Sequence, residues 1–164
     1  VAQAVGLLGR AAGAAGMVGG QADDVRPWDG LGLALEEVES IHRRKTACLI
    51  AAAVGLGALA AGAGEDALAA LERYGRALGQ AFQVADDVLS VTADAAALWR
   101  PGTSDQSKLR RVHPRVAGLE SSRARGREWL REARDALRPL EGPDARVAPL
   151  HHLADRVAQR LGAP

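Results

Sequence analysis

The sequence predicts an all-α fold, and three observations support that prediction. Alanine (35) and leucine (21), both strong helix formers, make up about a third of the 164 residues. Valine, isoleucine and threonine, which favour strands or disfavour helices, together number only 18. Apolar residues recur at helical rather than alternating spacing, most clearly in residues 65–91. The length and the dispersed glycines and prolines further indicate one domain over residues 1–164.

The first half of the chain predicts three helical stretches. Residues 1–24 are rich in alanine and glycine and predict a helix that only tertiary packing can hold. A loop around residues 27–30 precedes one long or two abutting helices over residues 33–62. The stretch 65–91 starts with two acidic residues, which suit a helix N-terminus. Its periodic apolar positions are Leu68, Leu71, Leu78, Phe82, Ala85 and Leu89.

The second half predicts a loop and two further helices. Residues 95–113 are irregular and contain Pro101 and a run of charged side chains, so they predict a loop. Pro114 suits the first turn of a helix that continues to Leu137. A last amphipathic helix is expected over residues 147–161.

Composition excludes some classes of function. A formal net charge of +1 and 3% aromatic residues argue against nucleic-acid binding as the main role. The single cysteine, Cys48, fits a reducing compartment, and we expect a cytoplasmic protein. Residues 47–63 carry no charge, but they are mostly alanine and glycine and too few for a membrane span. We expect them to form a buried helix against which a neighbour packs closely.

Two acidic residues on the predicted helix 65–91 form the first candidate site. At 100° per residue, Gln83, Asp86, Asp87 and Ser90 fall on one stripe of that helix. Adjacent carboxylates repel each other unless they are solvated, paired or bound to a cation, and oxygen ligands suit Mg²⁺. Taken alone, the pair is better explained as a solvated acidic patch.

Two other segments carry candidate side chains. Lys45 is one of only two lysines beside 19 arginines, and its compact ammonium can reach a single phosphate oxygen in a tight place. A basic cluster at a helix start explains it as well, and His42 beside it is expected to be structural. Gln21 and Asp24 share a helix face after paired glycines, where helix packing is the alternative.

Together, these segments resemble a known family. Their order and spacing are similar to the C-terminal half of the trans-isoprenyl diphosphate synthases, which include farnesyl and geranylgeranyl diphosphate synthases. The resemblance covers essentially the whole chain and rests on four motifs: Gly16-Met-Val-Gly-Gly-Gln-Ala-Asp-Asp24, Ile41-His-Arg-Arg-Lys-Thr46, Phe82-Gln-Val-Ala-Asp-Asp-Val-Leu-Ser90 and Gly118-Leu-Glu-Ser-Ser-Arg123.

The resemblance implies an enzyme. It implies an all-helical isoprenoid synthase-type bundle in which isopentenyl diphosphate condenses head to tail with an allylic diphosphate, with Mg²⁺ as cofactor. It assigns Asp86 and Asp87 as metal ligands and Lys45 as a clamp on the diphosphate. Further substrate-binding or catalytic roles are implied for Thr46, Gln83, Gln21, Asp24, Arg100 and Arg110.

The sequence also departs from the family pattern at several positions. Ser90 stands where the family usually has a third aspartate, and Arg100 and Arg110 are the nearest matches to two usual lysines. The first aspartate-rich motif of the family, which belongs to its N-terminal half, is absent. We therefore expect the chain to be inactive alone and to work in a homo- or hetero-oligomer or with a complementing N-terminal half. The alternative is a non-catalytic helical subunit that regulates an intact synthase.

Overall fold

The computed structural model describes residues 1–26, 34–97, 112–142 and 147–162, and these residues form helices joined by short turns, with no strand among them. No helix among the described residues is both long and apolar enough to span a membrane. The α-helices are α1 Ala2–Ala12, α2 Met17–Asp24, α3 Leu35–His42, α4 Cys48–Ala60, α5 Glu65–Ala97, α6 His113–Ala117, α7 Leu119–Leu137 and α8 Ala148–Arg160. A π-helical turn, Arg43–Ala47, joins α3 to α4, and a 3₁₀ turn, Arg138–Leu140, follows α7.

The 33-residue helix α5 is the centre of the fold. It packs against α4 on one side and against α7 and α8 on the other. The hydroxyl of Tyr74 is buried and donates a hydrogen bond to the Leu150 carbonyl of α8 at 2.7 Å, and burial raises the pKa of Tyr74 to about 12. The core residues that α5, α7 and α8 bury together include Leu78, Ala81, Val84, Ala85, Val88, Trp129, Leu130, Ala133, Leu137, Ala154, Val157 and Leu161.

Small residues let α4 and the π turn lie unusually close to α5. A Cβ atom placed on Gly75 would lie 2.5 Å from the Ala51 Cα, and one on Gly79 would lie 2.7 Å from the Ala47 Cβ. Ala51 and Ala47 are themselves buried. The uncharged stretch 47–63 therefore contains a helix that packs on a close neighbour, as its composition indicates, but only one face of it is buried: Ala51, Ala52, Gly55 and Ala58 are buried, and Ala53, Gly57 and Ala60 are exposed.

Glycines divide two of the predicted helices. Residues 1–24 form two helices because the chain turns at Gly13–Gly16, where a Cβ on Gly16 would overlap the Ala11 carbonyl oxygen. The predicted helix 114–137 is also divided, because Gly118 adopts a φ of 84°, which an L side chain rarely takes. Both single-helix predictions were wrong for the same reason. In both places the helical spacing of apolar residues continues across a glycine at which the backbone turns, so the spacing alone does not show that the helix ends.

The other boundaries follow the sequence more closely. The stretch 33–62 is helical from Leu35 to Ala60 without interruption, which matches two abutting helices joined by the π turn. Helix α5 extends to Ala97, so the predicted loop 95–113 was wrong for its first three residues and for His113, which begins α6. Val112 is non-helical, as predicted, while residues 98–111 of that loop, with Arg100 and Arg110, and the loop at residues 27–30 lie outside the described residues.

The contact between α5 and the π turn gives a stability prediction. Gly79→Ala should lower the free energy of unfolding by about 1–3 kcal/mol, because the added methyl overlaps backbone that cannot move alone. Gly57→Ala is the matched control: Gly57 is an exposed interior residue of α4 with no atom near its absent Cβ, so alanine should add about 0.5–1 kcal/mol. Urea denaturation of both variants measures this, and equal stability of the two would contradict the close packing.

Candidate functional site

The π turn Arg43–Ala47 directs successive side chains to different partners. Arg44 pairs with Asp23 at the end of α2, and the Lys45 Nζ lies 2.5 Å from the Asp24 Oδ2. The next side chain, Thr46, turns toward α5. A π turn holds more than four residues per turn, so it shifts these side chains relative to an α-helix, and such turns are frequent at functional sites.

Gly20 makes the pairing between α2 and the π turn possible. A Cβ on Gly20 would overlap the Lys45 backbone nitrogen and would lie 2.8 Å from the Lys45 Cα. Because this residue is glycine, α2 lies directly on the turn, and its two terminal carboxylates reach Arg44 and Lys45. Gln21, one residue further along α2, is exposed, and its side chain makes no hydrogen bond to another described residue.

Asp87 is buried and its carboxylate is bonded on both oxygens. Its Oδ2 accepts a hydrogen bond from the His113 backbone N–H at 2.8 Å and lies 3.1 Å from the His42 Nε2. Its Oδ1 accepts from the Gln83 Nε2 at 3.3 Å. The Thr46 hydroxyl donates to the Gln83 Oε1 at 2.7 Å. A continuous chain of hydrogen bonds therefore connects Thr46 of the π turn, through Gln83 and Asp87 of α5, to His113 at the start of α6.

Asp86 is placed in the opposite environment. Its side chain is exposed and has no hydrogen bond or ion pair with another described residue. It lies three residues after Gln83, so the two side chains are neighbours on the surface of α5. Ser90 donates its hydroxyl proton to the Asp87 backbone carbonyl at 2.9 Å. Of the acidic pair, Asp86 alone therefore presents an open carboxylate.

His113 was not identified from the sequence, yet it completes this network. It is 1% exposed, and its Nδ1 lies 2.7 Å from the Ser122 Oγ, which itself donates to the Gly118 carbonyl. The Ser122 oxygen therefore accepts the proton of the His113 Nδ1. Burial, and secondly the charge of nearby His42, lowers the pKa of His113, while Glu39 and Asp87 oppose that shift. The only sequence signal was a His-Pro step at a helix start.

A small pocket of about 220 Å³ lies between α2, the π turn and α5. The predicted residues Lys45, Asp24, Gln83 and Asp87 all line it, and so does the buried His42. The structure thus brings together Lys45, Thr46, Gln83 and Asp87, with Asp86 on the adjoining surface of α5. Arg100 and Arg110 lie outside the described residues.

The sequence matches the family model described as polyprenyl synthetase over residues 3–139. It is 42% identical over 154 residues to farnesyl diphosphate synthase of Escherichia coli, covering 93% of this chain and 51% of that protein. It is 39% identical over 163 residues to the large subunit 1 of a heterodimeric geranylgeranyl pyrophosphate synthase of Arabidopsis thaliana, covering 98% of this chain and 43% of that protein.

Solved structures agree with the sequence comparison. A geranyltransferase from Helicobacter pylori, crystallised with magnesium and isoprenyl diphosphate, matches 99% of this chain and 52% of its own length with a TM-score of 0.74 and 26% identity. An FPP/GFPP synthase from Zymomonas mobilis matches with a TM-score of 0.75 and 26% identity, over 94% of this chain and 50% of that chain. The chain thus spans about half the length of these relatives. It belongs to the polyprenyl synthetase family.

Proposed function

We propose that Lys45, Thr46, Gln83 and Asp86 form one wall of the active site of a prenyltransferase, which joins isopentenyl diphosphate to an allylic diphosphate. This wall binds the diphosphate group. The observation that supports this most is the convergence of Lys45, Thr46 and Gln83 at the contact of the π turn with α5, beside the open carboxylate of Asp86. The names of the similar proteins, which are farnesyl and geranylgeranyl diphosphate synthases, support the same reaction class.

The donor set of this wall fits Mg²⁺ in one specific way. No group of three or more His, Cys, Asp or Glu side chains within the described ranges could hold a metal ion. Mg²⁺ commonly takes one or two protein carboxylates and fills its remaining positions with water and substrate phosphates, so an exposed Asp86 fits as a direct ligand. When bound, Mg²⁺ stabilises the negative charge that develops on a departing diphosphate. Asp87 as a second ligand stays a prediction, and ligation would compete with its three present contacts.

Lys45 would hold the diphosphate from the protein side. Its ammonium has three donor positions, and Asp24 takes one of them at 2.5 Å. The other two protons remain available for phosphate oxygens, while Asp24 keeps the side chain in place. A cation fixed before the reaction stabilises charge on the leaving group without reorganisation when the carbon–oxygen bond breaks.

Thr46 and Gln83 would face the carbon end of the allylic substrate. The Thr46 hydroxyl uses its single proton to bond the Gln83 Oε1, so its remaining lone pairs can face positive charge. The Gln83 amide is fixed at both ends, because its Nε2 donates to Asp87. Two fixed oxygen dipoles stabilise a developing allylic cation without attacking it as a strong nucleophile would.

The wall is one part of such a site. We propose that it acts together with the half of the relatives that this chain does not span, from the same or a second polypeptide. Gln21 at the end of α2 and the arginines Arg100 and Arg110 are proposed as further contacts to substrate. A cytoplasmic location stays a prediction.

The metal role of Asp86 is tested by Asp86→Asn. Mg²⁺-dependent binding of inorganic diphosphate, measured by isothermal titration calorimetry, should weaken at least tenfold, because a charged metal ligand is lost. Helicity and melting temperature should not change, since the side chain is exposed and makes no described contact. Asp66→Asn is the control: it removes an exposed aspartate of the same helix about 30 Å away. Unchanged affinity in Asp86→Asn would remove this residue from the site.

Asp87→Asn, unlike Asp86→Asn, should lower the stability of the fold. The amide nitrogen would face the His113 N–H in one orientation and the Gln83 Nε2–H in the other, so one buried hydrogen bond is lost either way and the free energy of unfolding should fall by about 1–3 kcal/mol. Chemical denaturation followed by circular dichroism measures this change. A variant as stable as the parent, with Mg²⁺-dependent binding abolished, would show that Asp87 is a metal ligand and not an anchor.

A further inference from the structure

The arginine at the start of the π turn points away from the proposed active site. Arg43 lines a separate pocket of about 460 Å³ between α1, α4 and α5, and this pocket shares no lining residue with the one that contains Lys45. Its floor is apolar and built from small side chains, among them Ala11, Ala51 and Ala52. Three further arginines, Arg10, Arg44 and Arg76, and one acidic residue, Glu72, also line it.

The charges around this pocket are not balanced. Arg76 is paired with Glu72 through its Nη2 at 2.6 Å, and Arg44 is paired with Asp23. Arg10 and Arg43 have no carboxylate partner among the residues that the structure describes. Both arginines are exposed, so two solvent-accessible guanidinium groups without a described carboxylate partner line this concave surface, which strengthens their field.

The adjoining pocket of about 570 Å³ does not share this character. It is lined by Arg43, Arg76 and Arg73, but Glu132 and Asp135 of α7 lie on its other side. Three arginines face two acids there, whereas four arginines and a single acid, Glu72, line the pocket between α1, α4 and α5, so the neighbouring pocket favours an anion less. An anion is therefore expected in the pocket between α1, α4 and α5 and not in its neighbour.

We propose that the pocket lined by Arg10 and Arg43 is a second, metal-independent site for a small organic diphosphate. Planar guanidinium groups match phosphate oxygens with paired hydrogen bonds, and two uncompensated arginines suit a ligand with more than one negative charge. The apolar floor of alanines allows a short hydrocarbon group to bury apolar surface on binding. Inorganic diphosphate has no hydrocarbon group and cannot gain from this contact. This site uses neither Lys45 nor Asp86 and so stands apart from the proposed active site.

Calorimetric titration in the presence of EDTA tests this proposal, with isopentenyl diphosphate and inorganic diphosphate as the two probes. Isopentenyl diphosphate should bind without metal and more tightly than inorganic diphosphate. Arg43→Ala and Arg10→Ala should each weaken that binding about tenfold, as expected for the loss of a charge-assisted contact. Asp86→Asn and Lys45→Ala should leave it unchanged.

Arg73→Ala is the matched control, since Arg73 is an exposed α5 arginine that lines only the neighbouring pocket. Equal weakening in Arg73→Ala would mean diffuse attraction to a basic surface and would overturn a defined site. No binding in EDTA, with Mg²⁺-dependent binding still present, would overturn the second site and leave the proposed function standing. Equal affinity for the two probes would show that the hydrocarbon group gains nothing from the apolar floor, and it would overturn the proposal of an organic ligand.

Discussion

The buried carboxylate of Asp87 is the interaction on which the rest of this structure depends. It joins three separate parts of the chain, because α5 carries it, His42 at the end of α3 contacts it, and the first N–H of α6 donates to it. A buried charge without partners costs several kcal/mol, so these contacts must form together. Through Gln83 the same carboxylate also fixes Thr46, which connects the core to the proposed active site.

Close packing of small residues is the second constraint. Gly20 brings α2 onto the π turn, and Gly79 brings α5 onto the same turn from the other side. Lys45 and Thr46 therefore lie between two helices that approach at backbone distance, which limits where their side chains can go. Small residues at these contacts are thus a requirement of the geometry, and one face of the uncharged stretch 47–63 is part of the core.

Much of this could be predicted from the sequence, and the failures have physical causes. The spacing of apolar residues predicted α5 and α8, and the four motifs indicated the family. Spacing placed Asp86 and Asp87 on one stripe, but their opposite environments depend on His113, a residue distant in sequence. Local sequence patterns also did not predict where the helices turn, at Gly16, at Gly118 and in the π turn Arg43–Ala47. Tertiary contacts decide whether a glycine bends a helix.

The central claim is that the wall formed by Lys45, Thr46, Gln83 and Asp86 is one side of a prenyl-transfer site. The most direct test measures prenyl transfer from labelled isopentenyl diphosphate with Mg²⁺ and a short allylic diphosphate. It compares the chain alone with the chain mixed with the half of E. coli farnesyl diphosphate synthase that it does not span. Product in the mixture and none from either part alone is the predicted result. No product from a mixture in which both parts are folded and associate would contradict the claim and favour a regulatory subunit.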